Sequence, residues 1–210
     1  MLIGFDKLAQ SFEHGRPKGV IHVGAHGAEE LESYVQNDIP TVIWVEANPM
    51  LAQGLLNKTF PHVGSSVHFF AAHETDGLFL RLNVANNGES SSLLEFGTHE
   101  KEHPHVKFVG SIEVPTLTID TLMERKGFDR TRFDFANIDV QGAELLVLKG
   151  MKVQLKHLNY VYLEVNEKSL YKDCALIGEL DDYLRHYGFE RKLTEMTQHG
   201  WGDAFYVKVR

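Results

Sequence analysis

The sequence contains one cysteine among its 210 residues, has few basic side chains, and lacks any apolar run long enough to cross a bilayer. Because Cys174 is alone, an internal disulfide and a thiolate metal centre are excluded, and no metal site is predicted. Lys and Arg total 21 against 29 Asp and Glu, which gives a net charge of −8. Nucleic-acid binding requires clustered basic residues, so no nucleic-acid partner is expected. The first residues also lack a signal-peptide pattern, which predicts a cytoplasmic protein without a membrane span.

Helical and strand patterns alternate along most of the chain, without repeats or low-complexity tracts. Hydrophobic residues make up 43% of the sequence and charged residues 24%, as in an ordinary globular protein. We therefore predict one α/β domain over residues 1–210, which could itself be cut from a longer polypeptide. Strands are predicted at about 19–24, 41–46, 67–72, 78–84, 112–117, 133–139, 160–165, 189–195 and 203–209. Helices are predicted at about 2–13 (within a lead-in segment, 1–17), 28–37, 49–58, 143–150 and 175–187. Pro115 marks 112–117 as an edge strand, because proline cannot donate to a ladder.

A strand, a glycine turn, a helix and a second strand follow one another between residues 20 and 46. Gly24 and Gly27 allow a tight turn and a close approach of the backbone to a ligand. The second strand ends on Glu46, where a carboxylate can accept both ribose hydroxyls of an adenosine. This arrangement is typical of the nucleoside-binding half of a doubly wound sheet. A plain strand–helix–strand unit without a ligand is the alternative.

The residues of this turn argue against a dinucleotide. The middle glycine of the NAD fingerprint is absent between Gly24 and Gly27, and Glu29 and Glu30 are predicted in the first helical turn, where they would repel a pyrophosphate. The same carboxylates suit a ligand that carries an ammonium. S-adenosylmethionine fits, because it has an adenosine, a sulfonium and an amino group but no phosphate.

Further carboxylates are predicted at the ends of neighbouring strands. Asp139 follows a buried strand and precedes Gly142, and Glu164 lies at the end of the next strand. Because ligands of doubly wound sheets bind outside the carboxyl ends of the strands, Asp139, Glu164 and Glu46 should face one crevice. The alternatives are a helix cap for Asp139 and a solvated rim position for Glu164.

Several motifs occur together in a recognisable order. They are the glycine turn, Val45-Glu46-Ala47-Asn48-Pro49, Asn87-Gly88-Glu89-Ser90-Ser91-Ser92, Thr116-Leu117-Thr118-Ile119-Asp120 and Ile138-Asp139-Val140-Gln141-Gly142-Ala143-Glu144. Over roughly residues 18–195 the chain resembles the FkbM family of S-adenosylmethionine-dependent methyltransferases. It departs from the family pattern at two positions, where Asn137 replaces a lysine and Gln141 a glutamate, and each exchange removes a charge.

The resemblance implies a Rossmann-like methyltransferase fold: a seven-stranded, mostly parallel sheet with a last antiparallel strand and helices on both faces. It also implies O-methylation of a hydroxyl on a small molecule, and a sugar of a glycan or glycoconjugate is the favoured acceptor. Association or fusion with other glycan-processing domains is a further expectation. An NAD-dependent oxidoreductase and a non-catalytic adenosine-binding domain are the alternative functions.

The candidate residues follow from these two lines of argument. The candidate cofactor-binding residues are Gly24, Ala25, His26, Gly27, Glu30, Glu46, Ala47, Asn48, Ala72, Ser91, Ser92 and Asp139. The candidates for the base that takes the acceptor's proton are Asp139, Glu164 and His73. The histidine-rich segment 99–105 is interpreted as an exposed loop, with a substrate lid or a cation site as alternatives. Trp201 is expected to pack, or else to stack on a sugar.

Overall fold

Ten strands and seven α-helices are found in the computed structural model, which describes residues 1–62 and 64–209. The strands are β1 (Val20–Val23), β2 (Val42–Glu46), β3 (Ser65–Phe69), β4 (Ala71–Ala72), β5 (Phe79–Ala85), β6 (Phe108–Leu117), β7 (Phe135–Ile138), β8 (Tyr160–Asn166), β9 (Phe189–Met196) and β10 (Trp201–Lys208). The helices are α1 (Phe5–Ala9), α2 (Leu31–Gln36), α3 (Ala52–Thr59), α4 (His99–Glu102), α5 (Ile119–Lys126), α6 (Glu144–Lys149) and α7 (Ile177–His186). No helix in these ranges has the length and apolar character needed to span a membrane.

Seven strands form the main sheet in the order β3-β2-β1-β7-β8-β10-β9. Strand β10 is antiparallel to both of its neighbours, β8 and β9, whereas the pairs from β3 to β8 are parallel. The predicted seven-stranded, mostly parallel sheet with a last antiparallel strand is therefore confirmed.

Helices cover both faces of this sheet because its strands are apolar on both sides. Ile21 and Val23 point into a core that also holds the apolar residues of α5, α6 and α7. Val20 and Trp44 point into the opposite core, which is closed by α1, α2 and α3. Near-continuous apolar strands are typical of parallel sheets that are buried on both faces.

A second, three-stranded sheet in the order β4-β6-β5 corrects two predictions. The strand predicted at 67–72 is two strands, because the chain leaves the main sheet after Phe69 and pairs with β6 at Ala71 and Ala72. The edge position predicted for residues 112–117 is wrong, since β6 is the middle strand. Its Pro115 is tolerated because β4 pairs only with the following residues, Thr116 and Leu117.

Helix boundaries also differ from the sequence predictions. The helix predicted at 28–37 begins at Leu31, because His26 and Ala28 adopt positive φ angles of 40° and 52° and keep the preceding residues in a turn. The lead-in helix is limited to Phe5–Ala9. Helix α5 was not predicted, although its start is capped by the Thr118 side chain and its end by Gly127 in the left-handed conformation.

Candidate active site

A cavity of about 500 Å³ lies beyond the carboxyl ends of β1, β2, β7 and β8. Its walls come from the main sheet, from the loop that follows β5, and from the segments that follow β8. The predicted residues that line it are Gly24, His26, Glu30, Glu46, Ala47, Asn48, Ala72, Ser91, Ser92, Asp139 and Glu164. This is the crevice in which ligands of doubly wound folds bind.

Gly24 brings two strand ends into direct contact at the base of the cavity. It has a φ of 86°, and a Cβ at this position would lie 1.7 Å from the carbonyl oxygen of Asp139. Its amide donates to the Val45 carbonyl at 2.9 Å, which fixes the turn against β2. Glycine is therefore required here, both for its backbone angle and for the space.

Glu46 is a buried carboxylate of the cavity wall, with 8% of its surface exposed. Its Oε1 accepts the Asn48 amide at 2.7 Å and its Oε2 accepts the His26 amide at 2.8 Å. Burial raises the pKa of Glu46, while these amide hydrogen bonds act in the opposite direction. Each oxygen retains a second lone pair for a ligand.

Glu29 and Glu30 both line the cavity but precede α2, so the predicted position in the first helical turn is wrong. Glu29 accepts from His26 Nδ1 at 3.1 Å and from the Gly27 amide at 3.2 Å. Glu30 lies 3.8 Å from His22 Nε2 and 3.3 Å from the Met1 amino nitrogen.

Asp139 and Glu164 are joined by the side chain of Gln141. The Gln141 amide nitrogen donates to Asp139 Oδ1 at 2.8 Å and to Glu164 Oε2 at 2.5 Å, and its oxygen accepts the Tyr171 hydroxyl at 2.6 Å. Asp139 is exposed, whereas Glu164 is 5% exposed. Burial, followed by the charges of Asp139 and Glu144, holds the pKa of Glu164 well above its usual range.

Glu144, rather than Asp139, binds the backbone at the start of α6. Its Oε1 accepts the amides of Val140 at 3.1 Å and Gly142 at 3.0 Å. The helix-cap alternative for Asp139 therefore receives no support from the hydrogen bonds of the described residues, and the Asp139 side chain is left facing the cavity. Glu144 is itself fully enclosed, and burial raises its pKa to about 7.

Some predicted residues lie outside the cavity wall. Ala25 and Gly27 belong to the turn but do not line the cavity. His73 also lies outside it, and its Nδ1 accepts the Thr75 amide at 3.1 Å. Ser91 and Ser92 do line the cavity, but their hydroxyls donate to the carbonyls of Gly88 and Gln141, both at 2.7 Å.

Sequence reasoning missed the residues that connect distant parts of the site. Gln141 adopts a φ of 55°, which turns its side chain back across the two carboxylates. Tyr171 reaches it from the segment after β8, and Asp203 enters from the antiparallel strand β10. A polar residue within the Asp139–Glu144 motif was the available signal for Gln141. Nothing local distinguished Tyr171 or Asp203.

The cavity is strongly acidic. Seven carboxylates line it, namely Glu29, Glu30, Glu46, Glu89, Asp139, Glu164 and Asp203, and no lysine or arginine from residues 1–62 and 64–209 does so. This donor set suits a cationic ligand with a diol and opposes a phosphate. Over the same ranges, no group of three or more His, Cys, Asp or Glu is arranged to hold a metal ion.

Comparison with known proteins shows to which family the chain belongs. Residues 22–191 match the methyltransferase FkbM domain. The chain belongs to this family. The predicted methyltransferase class and its cofactor, S-adenosylmethionine, are thereby confirmed.

This FkbM protein also resembles individual methyltransferases. It is 32% identical over 95 residues to the 2-O-methyltransferase NoeI of Sinorhizobium fredii, a match that covers 45% of this chain and only 38% of NoeI. Streptococcus pneumoniae Sp1610, assigned as a tRNA methyltransferase, has a TM-score of 0.54 at 13% identity, covering 100% of this chain and 72% of Sp1610. Magnesium protoporphyrin IX methyltransferase from Synechocystis has a TM-score of 0.51 at 10% identity, covering 97% and 77%. At these identities the solved structures establish a common fold only.

Proposed function

We propose that this methyltransferase transfers a methyl group to a hydroxyl of a small molecule, most specifically to a sugar hydroxyl of a glycan or glycoconjugate. The observation that carries the proposal is one cavity that joins the buried carboxylate of Glu46 to the Asp139–Gln141–Glu164 group. The Glu46 carboxylate suits the ribose of an adenosine, and the three-residue group suits an acceptor hydroxyl that must lose its proton.

The residues present fit S-adenosylmethionine. Glu46 offers two oxygens to a ribose diol, and the charge-assisted hydrogen bonds it would accept are stronger than neutral ones. Glu29 and Glu30 provide negative charge for an amino group. The cofactor supplies an activated methyl group, so the protein must align the acceptor and manage its proton.

Asp139 is assigned as the base. Because Glu164 is buried beside another carboxylate, it keeps its proton more readily, and Gln141 holds the two groups together. With S-adenosylmethionine bound to supply the methyl group, Asp139 would take the proton that the acceptor hydroxyl loses.

The sugar acceptor is supported by the name of NoeI, which assigns 2-O-methyl transfer to that relative. The alternative of NAD-dependent hydride transfer is opposed by the family and by the acidic cavity. A tRNA acceptor, which the assignment of Sp1610 raises, would bring phosphates close to a cavity that is lined by carboxylates and by no lysine or arginine from residues 1–62 and 64–209.

Calorimetric titration with S-adenosylhomocysteine, NAD and ATP tests the cofactor half of the proposal. We expect binding of S-adenosylhomocysteine alone. Transfer of labelled methyl from S-adenosylmethionine to neutral oligosaccharides, small phenols and tRNA tests the acceptor half. Alkali-stable label in an oligosaccharide would support the proposal, whereas transfer confined to tRNA, or no transfer by protein that binds the cofactor, would contradict it.

A further inference from the structure

One wall of the cavity is made by two loops that are bonded to each other through their backbones. The first is the connection between β5 and β6, and the second follows β8. Gly97 donates to the Leu170 carbonyl at 2.7 Å, Thr98 to Ser169 at 3.0 Å, and Lys172 to Glu95 at 2.8 Å. The wall is thus built into the fold beyond the carboxyl end of β8, the strand that carries Glu164.

Aromatic and imidazole rings pack against one another in this wall. Phe108 stacks on Phe96 at 3.8 Å between centroids, and Phe96 stacks on His99 at 4.3 Å with the rings 5° apart. The ring of His103 follows at 4.9 Å from that of His99. Five ring-bearing residues line the cavity here, and we call them the ring wall: His99, His103 and His105 from the first loop, Tyr171 from the second, and Trp201, which begins β10 and packs against the same apolar cluster.

The ring wall is linked to the proposed base through one residue. The Tyr171 hydroxyl donates to Gln141, whose amide nitrogen donates in turn to Asp139 and Glu164. A ligand on the ring wall would therefore lie next to the group that accepts its proton.

His99 supplies a neutral polar group to the ring wall. His99 is 4% exposed, and its Nδ1 is buried without a hydrogen-bond partner among the described residues. Burial, together with the charges of His103 and His105, lowers the pKa of His99 to about 4. A neutral imidazole has one donor and one acceptor, which matches a hydroxyl group but supplies no charge for an anion.

We propose that the ring wall is the acceptor subsite and that it takes an uncharged, polyhydroxylated ring while rejecting the phosphate or sulfate esters of the same ring. The half-exposed indole of Trp201 provides an apolar face for the ring's C–H groups, and the histidines provide polar partners for its hydroxyls. The ionised carboxylates of the cavity repel an ester anion, and no lysine or arginine side chain from the described residues offsets them. This inference rests on the proposed function, because it makes the ligand of the ring wall the methyl acceptor.

The test uses protein saturated with S-adenosylhomocysteine and three neutral disaccharides: lactose, cellobiose and diacetylchitobiose. Saturation-transfer NMR measures their binding beside that of their 6-sulfate esters. We expect at least one neutral disaccharide to bind and its ester to bind about tenfold more weakly or worse, since the carboxylates repel a like charge. Trp201→Ala and His103→Ala should each weaken sugar binding by about tenfold or more, the loss of roughly one good contact. His103→Lys should reduce the difference in affinity between the sugar and its ester, because it adds a positive charge.

Phe79→Ala is the matched control, because Phe79 is 71% exposed and does not line the cavity. The proposal is overturned if no neutral disaccharide binds, if the esters bind equally well, or if both ring-wall variants bind sugar like the wild type. A titration with S-adenosylhomocysteine on every sample distinguishes failure of the acceptor subsite from failure of the proposed function. Wild-type protein that fails to bind it would overturn the proposed function, whereas normal cofactor binding without sugar binding would overturn only the acceptor subsite.

Discussion

At the scale of single residues, Glu46 has two roles that one substitution can separate. It accepts two backbone amides and faces the cavity, so Glu46→Ala would leave buried donors unpaired as well as remove a ligand contact. Glu46→Gln keeps the shape and one acceptor oxygen, so one of the two amides keeps its acceptor. We expect this variant to fold and to bind S-adenosylhomocysteine about 10- to 100-fold more weakly, because charge-assisted hydrogen bonds to the diol are lost. Calorimetry measures the affinity, and Glu32→Gln, an exposed change of equal charge, is the control.

Asp139 allows binding and chemistry to be separated in the same way. Asp139→Asn preserves size and an acceptor oxygen but removes the basicity. If Asp139 takes the acceptor's proton, single-turnover methyl transfer should fall by about two to four decades, the range for a positioned base, while S-adenosylhomocysteine affinity changes far less. Asp182→Asn on the exposed face of α7 should leave both unchanged. Full activity in Asp139→Asn would end the assignment, and lost cofactor binding would make Asp139 a binding residue.

The positions of single acidic residues could be predicted from the sequence, whereas the hydrogen bonds that connect them could not. Glu46 and Asp139 could be placed at strand ends because an apolar run followed by a carboxylate is a local pattern. Their connection through Gln141 could not, since it depends on one left-handed residue and on Tyr171, thirty positions away in the chain. Local patterns contain no information about such long-range contacts.

At the scale of elements, the turn after β1 depends on Gly24. Gly24→Ala would place a Cβ at 1.7 Å from the Asp139 carbonyl oxygen and would strain a φ of 86°. Because backbone cannot yield as a side-chain end can, we expect a loss of roughly 3 kcal/mol or more in the free energy of unfolding, at the upper end of single-residue effects. Gly54→Ala, within α3 and with no atom within 4 Å of the added Cβ, should instead stabilise by about 0.5–1 kcal/mol. Urea unfolding compares both variants with the wild type, and equal effects would contradict the argument.

The elements of the main sheet were predictable, whereas those of the small sheet were not. Val20–Val23 and Val42–Glu46 are short, mostly apolar segments bounded by turn residues, so their strand character is evident. Residues 67–72 are predicted as one continuous strand by the same criterion. Their division between two sheets is decided by the distant partner β6, which only the folded chain provides.

At the scale of the whole molecule, buried ionisable groups make stability depend on pH in opposing ways. Burial raises the pKa of Glu144 to about 7, so between about 4.5 and 7 the native state binds a proton that the unfolded state has released. Stability from this group is lost as the pH rises through that window. His22 and His99 act oppositely, since burial lowers their pKa values and protonation of the unfolded chain opposes folding at lower pH. The pH profile of the wild type is the sum of these effects.

The difference in free energy of unfolding between Glu144→Gln and the wild type isolates the contribution of Glu144 to this pH dependence. Glu144→Gln keeps an oxygen to accept the Val140 and Gly142 amides and has no proton to release. Its free energy of unfolding, minus that of the wild type, should therefore rise from pH 5 to pH 7 by up to about 1.4 kcal/mol per pH unit and level off above that. Urea unfolding at pH 5, 6, 7 and 8 gives the difference, and Glu32→Gln should give a constant one, because Glu32 is exposed. A flat difference for Glu144→Gln would show that this buried glutamate is ionised throughout, with its charge held by the two amides at the start of α6.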